Sequence, residues 1–133
     1  MRQESKEIKI DKKRSPKRLI NSFKYAMSGI KYGYINEQNM IVHTLVALIA
    51  IILGFLFKIN NYEWLFLITI IGLVIAAELI NTAIEATIDI VCKTYNIEAK
   101  IAKDTAAACV LILALTALAG GIFIFLPKII SLF

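Results

Sequence analysis

Three long apolar segments, at about residues 41–57, 64–91 and 105–126, constrain this chain more than any other feature of its sequence. A helix needs about 20 consecutive apolar residues to cross the ~30 Å hydrocarbon core of a bilayer, and each segment comes near that length. Hydrophobic residues make up 59% of the chain, against roughly 45–50% in a soluble domain. The sequence therefore predicts an all-α integral membrane protein with three transmembrane helices.

The basic residues are distributed unevenly between the two ends of these segments. Ten of the fifteen Lys and Arg residues lie in the first 31 positions, and the second loop adds Lys93, Lys100 and Lys103. The first loop holds Lys58, and Lys128 lies near the C-terminus. By the positive-inside rule, the N-terminus and the second loop are predicted to be cytoplasmic. Because the basic N-terminal region is joined to membrane helices, its expected partner is anionic lipid rather than nucleic acid.

The region before the first apolar segment divides into two parts. Residues 1–15 are rich in Lys, Glu and Ser, which predicts a mobile basic arm, and residues 16–133 are predicted to form one membrane domain. Within that domain, residues 16–34 carry apolar side chains at helical spacing among basic ones. This pattern is typical of an amphipathic helix that lies on the membrane surface. Gly29 and Gly33 predict a weak point toward the end of that helix.

A line of polar residues runs through the second half of the second apolar segment. Glu78, Asn81, Glu85 and Asp89 are spaced i, i+3, i+7 and i+11, so they share an arc of roughly 80° on a helix. We call these four residues the polar stripe. It rises about 16 Å along the helix axis. Ionisable groups within a membrane helix are costly and mark functional sites.

The residue types in and around the stripe suit phosphate chemistry. Glu37 and Glu85 can bind Mg²⁺, which commonly takes one or two protein carboxylates together with substrate phosphates. Lys103 can offset phosphate charge, and Asn81 can position an oxygen. A carboxylate as deep as Glu78 holds a proton more readily than one in water, which suits a general base that acts on an alcohol.

Physical reasoning on the spacing leaves three interpretations open. The stripe could join helices within a bundle, line an ion or proton path, or form an enzyme site. No P-loop pattern is present. Asp104 is expected to cap the third transmembrane helix. His43 and Thr44, near the start of the first segment, are expected to be interfacial residues rather than ligands.

The segment Glu78-Leu79-Ile80-Asn81-Thr82-Ala83-Ile84-Glu85, followed by Asp89, resembles the signature of the small prokaryotic diacylglycerol kinase family. That family includes diacylglycerol kinases of Gram-negative bacteria and undecaprenol kinases of Gram-positive bacteria. The resemblance covers roughly residues 17–128, with Ala102-Lys103-Asp104 at the start of the third segment.

The resemblance implies an activity, an assembly and a set of site residues. Family members are homotrimers with active sites shared between subunits, and they transfer phosphate from MgATP to a lipid alcohol. Glu78 would be the general base, and Glu37 and Glu85 would bind the metal. The nucleotide and phosphate contacts would come from Arg18, Tyr25, Asn81, Lys103 and Asp104.

Some positions favour one branch of the family. His43 stands where the Gram-negative enzymes carry an acidic residue, and residues 39–45, 99–104 and 125–128 are more similar to the undecaprenol kinase branch. Undecaprenol is therefore the preferred acceptor, with diacylglycerol as the alternative. The expected location is a bacterial plasma membrane, with the N-terminus cytoplasmic. The runner-up from another functional class is a small membrane protein with an ion or proton path.

Overall fold

The computed structural model describes residues 16–132, and within them the chain is helical with no strand. The four helices are α1 (Pro16–Asn36), α2 (Gln38–Leu56), α3 (Asn61–Val91) and α4 (Ile97–Ile130). Helices α2, α3 and α4 are each long and apolar enough to cross a membrane. The predicted all-α fold with three transmembrane helices is confirmed. The predicted N-terminal arm, residues 1–15, lies outside the described residues.

Helix α1 is continuous to Asn36, so the expected weak point at its glycines does not interrupt it. The chain leaves helical geometry at Glu37, whose φ and ψ are −111° and 113°. Gly33 lies against α2 and α3, because a Cβ atom there would come within 3.0 Å of both Leu79 Cδ2 and Met40 Cε. The glycine therefore allows close packing of α1 rather than a break.

The turn between α2 and α3 is defined by local hydrogen bonds. Lys58 has a φ of 50°, and the N–H of Ile59 donates to the carbonyl of Gly54 at 3.1 Å. This pattern is a Schellman C-cap, in which a left-handed residue ends the helix. Asn60 then begins α3 with a capping box, in which its side chain accepts from the N–H of Glu63 and the Glu63 carboxylate accepts from the N–H of Asn60.

Helix α4 begins at Ile97, earlier than the predicted third segment. Its N-cap is Asn96, whose side chain accepts hydrogen bonds from the N–H groups of Glu98 and Ala99. The expectation that Asp104 caps this helix is wrong, because Asp104 lies two turns inside it. The first turns of α4 carry Lys100 and Lys103 and extend the helix beyond its apolar part, so the helix starts where an Asn can cap it.

Helix α3 is the central element and packs against the other three helices, most extensively against α4. Its core with the α2–α3 turn consists of the buried residues Ile59, Leu67, Ile124 and Phe125. At the same end, Lys128 Nζ lies 2.8 Å from Glu63 Oε1, which joins the end of α4 to the start of α3. We call this the turn end of the molecule. The polar stripe occupies the opposite half of α3.

Candidate active site

The polar stripe passes from buried to exposed along α3. Glu78 and Asn81 are 1% and 6% exposed, Glu85 is half-buried, and the side chain of Asp89 is 64% exposed. His43 of α2 lies beside Glu78, and Gly33 of α1 lies against the adjacent Leu79, whereas Asp89 lies two residues from the end of α3. The stripe therefore connects a buried carboxylate with the exposed end of the helix.

Glu78 is buried beside a histidine on the neighbouring helix. His43 Nε2 of α2 lies 3.2 Å from Glu78 Oε1, although the angles do not meet those of a hydrogen bond. Within residues 16–132, both carboxylate oxygens of Glu78 lack a hydrogen-bond partner. A buried carboxylate without partners is costly. Such a group is therefore well placed to accept a hydroxyl proton from a ligand.

Asn81 and Glu85 are joined one turn further along the stripe. Asn81 Nδ2 donates to Glu85 Oε1 at 2.9 Å, while the buried Asn81 Oδ1 has no hydrogen-bond partner in the described part of the chain. The hydrogen bond orients the Glu85 carboxylate. The unpartnered amide oxygen offers a further acceptor or ligand atom beside it.

Glu37 faces the stripe from the junction of α1 and α2. It occupies the N-cap position of α2, but its side chain makes no capping hydrogen bond. Burial, and then the negative charges of Glu85 and Glu78, raise the pKa of Glu37 above its ordinary value. The carboxylate of Glu37 is therefore close enough to the stripe for their charges to repel.

Two lysines of α4 lie at the exposed end of the stripe. Lys103 Nζ lies 2.5 Å from Asp89 Oδ1, so the start of α4 is tied to the end of α3. Lys100 contacts Asp104 one turn further along α4. Asp89, whose role the sequence left open, thus holds Lys103 at the corner between the two helices, and Asp104 is paired on its own helix.

The remaining two candidates lie on α1. Tyr25 is 74% exposed and makes no hydrogen bond within the described residues. Arg18 is also exposed, and its backbone carbonyl accepts a hydrogen bond from the Ser22 hydroxyl at 3.0 Å. The structure therefore brings Glu37, Glu78, Asn81 and Glu85 together and places Lys103 beside Asp89. It does not bring Tyr25 into contact with them.

The residues present fit a magnesium ion bound together with a nucleotide. Within residues 16–132, no group of three or more His, Cys, Asp and Glu side chains is arranged to hold a metal by itself. Mg²⁺ does not require one, because it commonly takes one or two carboxylates and completes its shell with phosphates and water. Glu37 and Glu85 repel one another, and a divalent cation between them would relieve that repulsion.

An apolar groove of about 580 Å³ runs along the molecule between α2, α3 and α4. Its lining includes Val46, Ala50, Val74 and Ala117, and His43 is the one polar residue that lines it in the described part of the chain. Because His43 also contacts Glu78, the groove reaches the buried start of the polar stripe. It offers an apolar surface that His43 separates from the buried carboxylate.

The prokaryotic diacylglycerol kinase family model matches residues 24–125, about three quarters of the chain. The chain belongs to this family. The match contains Glu37, the whole stripe and Lys103, and it begins after Arg18. The family consists of lipid kinases, so this chain is a lipid kinase and a multi-pass bacterial membrane protein. The prediction that the chain is an enzyme rather than a transport protein is confirmed, and the roles of the stripe residues stay predictions.

Curated relatives of this lipid kinase carry two different names. The chain is 38% identical to undecaprenol kinase of Bacillus subtilis over 84% of this chain and 91% of that protein. It is 36% identical to diacylglycerol kinase of Synechocystis over 86% of this chain and 66% of that protein. With diacylglycerol kinase of Escherichia coli, the identity is 29% over 75% of this chain.

The contact of His43 with Glu78 is the feature of this site that sequence reasoning missed. His43 was expected to be an interfacial residue, whereas it is half-buried against the stripe. The available signal was a single ionisable side chain within the first apolar segment, a position that is costly unless the group has a partner.

Proposed function

We propose that this lipid kinase transfers the γ-phosphoryl group of MgATP to the hydroxyl of undecaprenol, giving undecaprenyl phosphate. Diacylglycerol, which would give phosphatidic acid, is the alternative acceptor. The match to undecaprenol kinase, which covers 91% of that protein, and the resemblance of residues 39–45 to that branch support undecaprenol. The observation that carries the site assignment is the buried, unpartnered carboxylate of Glu78 at the start of the stripe.

The lipid hydroxyl would reach Glu78 from the apolar groove. A polyprenyl chain is apolar throughout, as the groove lining is, so its terminal hydroxyl would stop where His43 and Glu78 meet. Glu78 would accept the hydroxyl proton while the lipid oxygen forms its bond to the γ-phosphorus. The bond between that phosphorus and the leaving oxygen breaks at the same time, and ADP departs.

The nucleotide would approach the stripe from its exposed end. Glu37 and Glu85 would hold Mg²⁺, which neutralises phosphate charge when bound. Asn81 would hydrogen-bond a phosphate oxygen or a ligand of the metal. Lys103, held near the corner by Asp89, would pair with the phosphates, and Arg18, Tyr25 and Asp104 would contact the rest of the nucleotide. Positioning and charge neutralisation account for most of the rate enhancement in such a reaction.

We also infer that the active enzyme is a homotrimer in a bacterial plasma membrane, with α1 and the α3–α4 loop on the cytoplasmic side. The uneven distribution of Lys and Arg supports this orientation. The homotrimer with shared sites follows from the family resemblance. Measurement of the mass of the detergent-solubilised protein tests the assembly, and a monomer with full activity would contradict it.

A direct assay tests the substrate. The purified full-length protein is incubated in detergent micelles with radiolabelled ATP and Mg²⁺, and with undecaprenol or diacylglycerol. We expect label in the undecaprenol fraction, and no label when the Glu78→Gln variant replaces the wild type. Label in diacylglycerol alone would assign the other acceptor, and no label in either lipid would reject lipid phosphorylation under these conditions.

A further inference from the structure

One residue outside the stripe, His43 of α2, lies beside Glu78. Glu78 is 1% exposed, and its oxygens lack hydrogen-bond partners within residues 16–132. The charged groups near it on the stripe side, Glu37 and Glu85, are both carboxylates. The charge of Glu37 repels that of Glu78, and Glu85 lies two turns along the same helix. Neither can stabilise an ionised Glu78.

Helix α2 supplies the donor that the stripe lacks. His43 Nε2 lies 3.2 Å from Glu78 Oε1, a distance at which a small rotation of the imidazole ring gives a hydrogen bond. A ring N–H that donates to a carboxylate is a charge-assisted hydrogen bond, stronger than one between neutral groups. His43 can therefore orient the carboxylate that accepts the hydroxyl proton.

Contacts with α1 and burial of Met40 fix the position of α2 at the level of His43. The Thr44 hydroxyl lies 2.7 Å from the Tyr34 hydroxyl of α1 and also donates to the carbonyl of Met40 at 2.8 Å. Met40 is completely buried, and it lies beside Gly33 where α1 approaches α3. The ring of His43 is thus carried on a part of α2 that is anchored to α1 and α3.

His43 also separates the stripe from the groove. It is half-buried and lines the groove, whereas the carboxylate of Glu78 lies behind it. A hydroxyl that arrives along the groove meets His43 first, and the carboxylate of Glu78 lies 3.2 Å behind the imidazole Nε2. The imidazole is therefore placed to hold the carboxylate toward the incoming oxygen.

We propose that His43 is a positioning residue for the general base, because its Nε2 donates to Glu78 and orients the carboxylate toward the lipid hydroxyl. This inference rests on the proposed function, in which Glu78 takes the proton from that hydroxyl. The proton passes from the lipid oxygen to Glu78, and the His43 N–H bond stays intact throughout the transfer.

Three substitutions at one position test this role. His43→Gln keeps an N–H donor near the place of Nε2, His43→Asn keeps an amide that is too short to reach Glu78, and His43→Leu removes the donor. We expect kcat to fall about 10- to 100-fold in the Leu and Asn variants, the rate equivalent of losing a hydrogen bond to a charged group. The Gln variant should stay within about threefold of the wild type.

The Michaelis constants separate positioning from a general structural effect. KM for ATP should change less than about twofold in all three variants, since the nucleotide contacts lie elsewhere on the stripe. Thr44→Val reports on disturbance of α2 alone, because it removes the contact with Tyr34 and keeps the imidazole itself, so its kinetic constants are the reference for a purely structural effect. The thermal unfolding temperature of each variant in detergent reports on folding.

The outcomes distinguish the two proposals. If the wild-type protein labels neither lipid, the proposed function fails before any variant is compared. If the wild type is active and folded His43→Asn keeps its kcat, or folded His43→Gln is as slow as His43→Asn, the positioning role is overturned. Should His43→Leu not fold, the comparison of the two amide variants still decides.

Discussion

A carboxylate in a membrane helix is costly to desolvate, so it is found where a partner offsets that cost or where the group has a function. Glu78 has His43 of α2 as a neighbour at 3.2 Å, but within residues 16–132 its oxygens lack hydrogen bonds. Asp89, at the other end of the stripe, is exposed and paired with Lys103. A carboxylate therefore has different surroundings at the two ends of the stripe, because burial and the available partners differ.

Replacement of Glu78 by Gln tests its role as the base. Gln has nearly the same shape but cannot accept the hydroxyl proton, so we expect kcat to fall by about 10²–10⁴-fold. Binding of MgATP should stay within about twofold of the wild type, as measured by equilibrium dialysis. Near-normal turnover of the Gln variant would exclude Glu78 as the base.

Replacement of Glu37 by Gln tests the repulsion within the site. Because the pKa of Glu37 is raised above 4.5, protonation of this group stabilises the folded state. That stability is fully present below about pH 4.5 and is lost as the pH rises through the raised pKa. Without Mg²⁺, Glu37→Gln should therefore unfold at a higher temperature than the wild type at pH 7.5, and the difference should vanish near pH 4.

The same variant tests the metal role of Glu37. Addition of Mg²⁺ should stabilise the wild type, because bound ligand favours the folded state, and the effect should be weaker in Glu37→Gln. Glu98→Gln, which changes an exposed carboxylate in the first turn of α4, is the control and should keep the wild-type response. Equal stabilisation of all three proteins by Mg²⁺ would count against Glu37 as a ligand.

At the scale of helices, close packing at one glycine brings α1 to the level of Glu78. Gly33 lies against Leu79, the residue next to Glu78, whereas a Cβ atom on Gly29 would meet nothing within 4 Å. The two glycines lie one turn apart on the same helix. Alanine substitutions at the two positions therefore separate the effect of helix propensity from the effect of packing.

Gly29→Ala and Gly33→Ala should have different effects on stability and activity. Gly29→Ala should stabilise α1 by about 0.5–1 kcal/mol through helix propensity alone, with unchanged activity. In Gly33→Ala, the Cβ atom would push Leu79 and Met40 apart, so we expect the gain to be cancelled and kcat to fall several-fold. Thermal unfolding and turnover of the two variants provide the measurement, and equal gains in stability with full activity would show that α1 does not pack tightly there.

The sequence predicts individual helices better than contacts between them. The stripe follows from the helical period, and the three transmembrane segments follow from apolar length alone. The contact of His43 with Glu78 depends on how α2 is rotated against α3, which no pattern within one segment specifies. The start of α4 differs from the expected cap at Asp104 for a local reason, because Asn96 caps the helix before two turns that carry three charged residues.

At the scale of the whole molecule, the hydrophobic core cluster and the proposed site occupy opposite ends of α3. The turn end holds the buried core and the ion pair of Lys128 with Glu63. The stripe end holds the repelling carboxylates Glu37, Glu78 and Glu85. Packing at the turn end stabilises the folded protein and can offset the repulsion between the carboxylates at the stripe end.

The orientation of the molecule in the membrane can be tested with single cysteines. Cys92 and Cys109 are first replaced by Ser and Ala, and one cysteine is then introduced at Thr94, in the α3–α4 loop, or at Ser131, after α4. The positive-inside rule puts the loop with Lys93 and Lys100 in the cytoplasm. A membrane-impermeant maleimide should therefore label Ser131→Cys in intact spheroplasts, but label Thr94→Cys only after permeabilisation. The reverse pattern would place the nucleotide side of the stripe outside the cell, where ATP is scarce, and would contradict the proposed orientation.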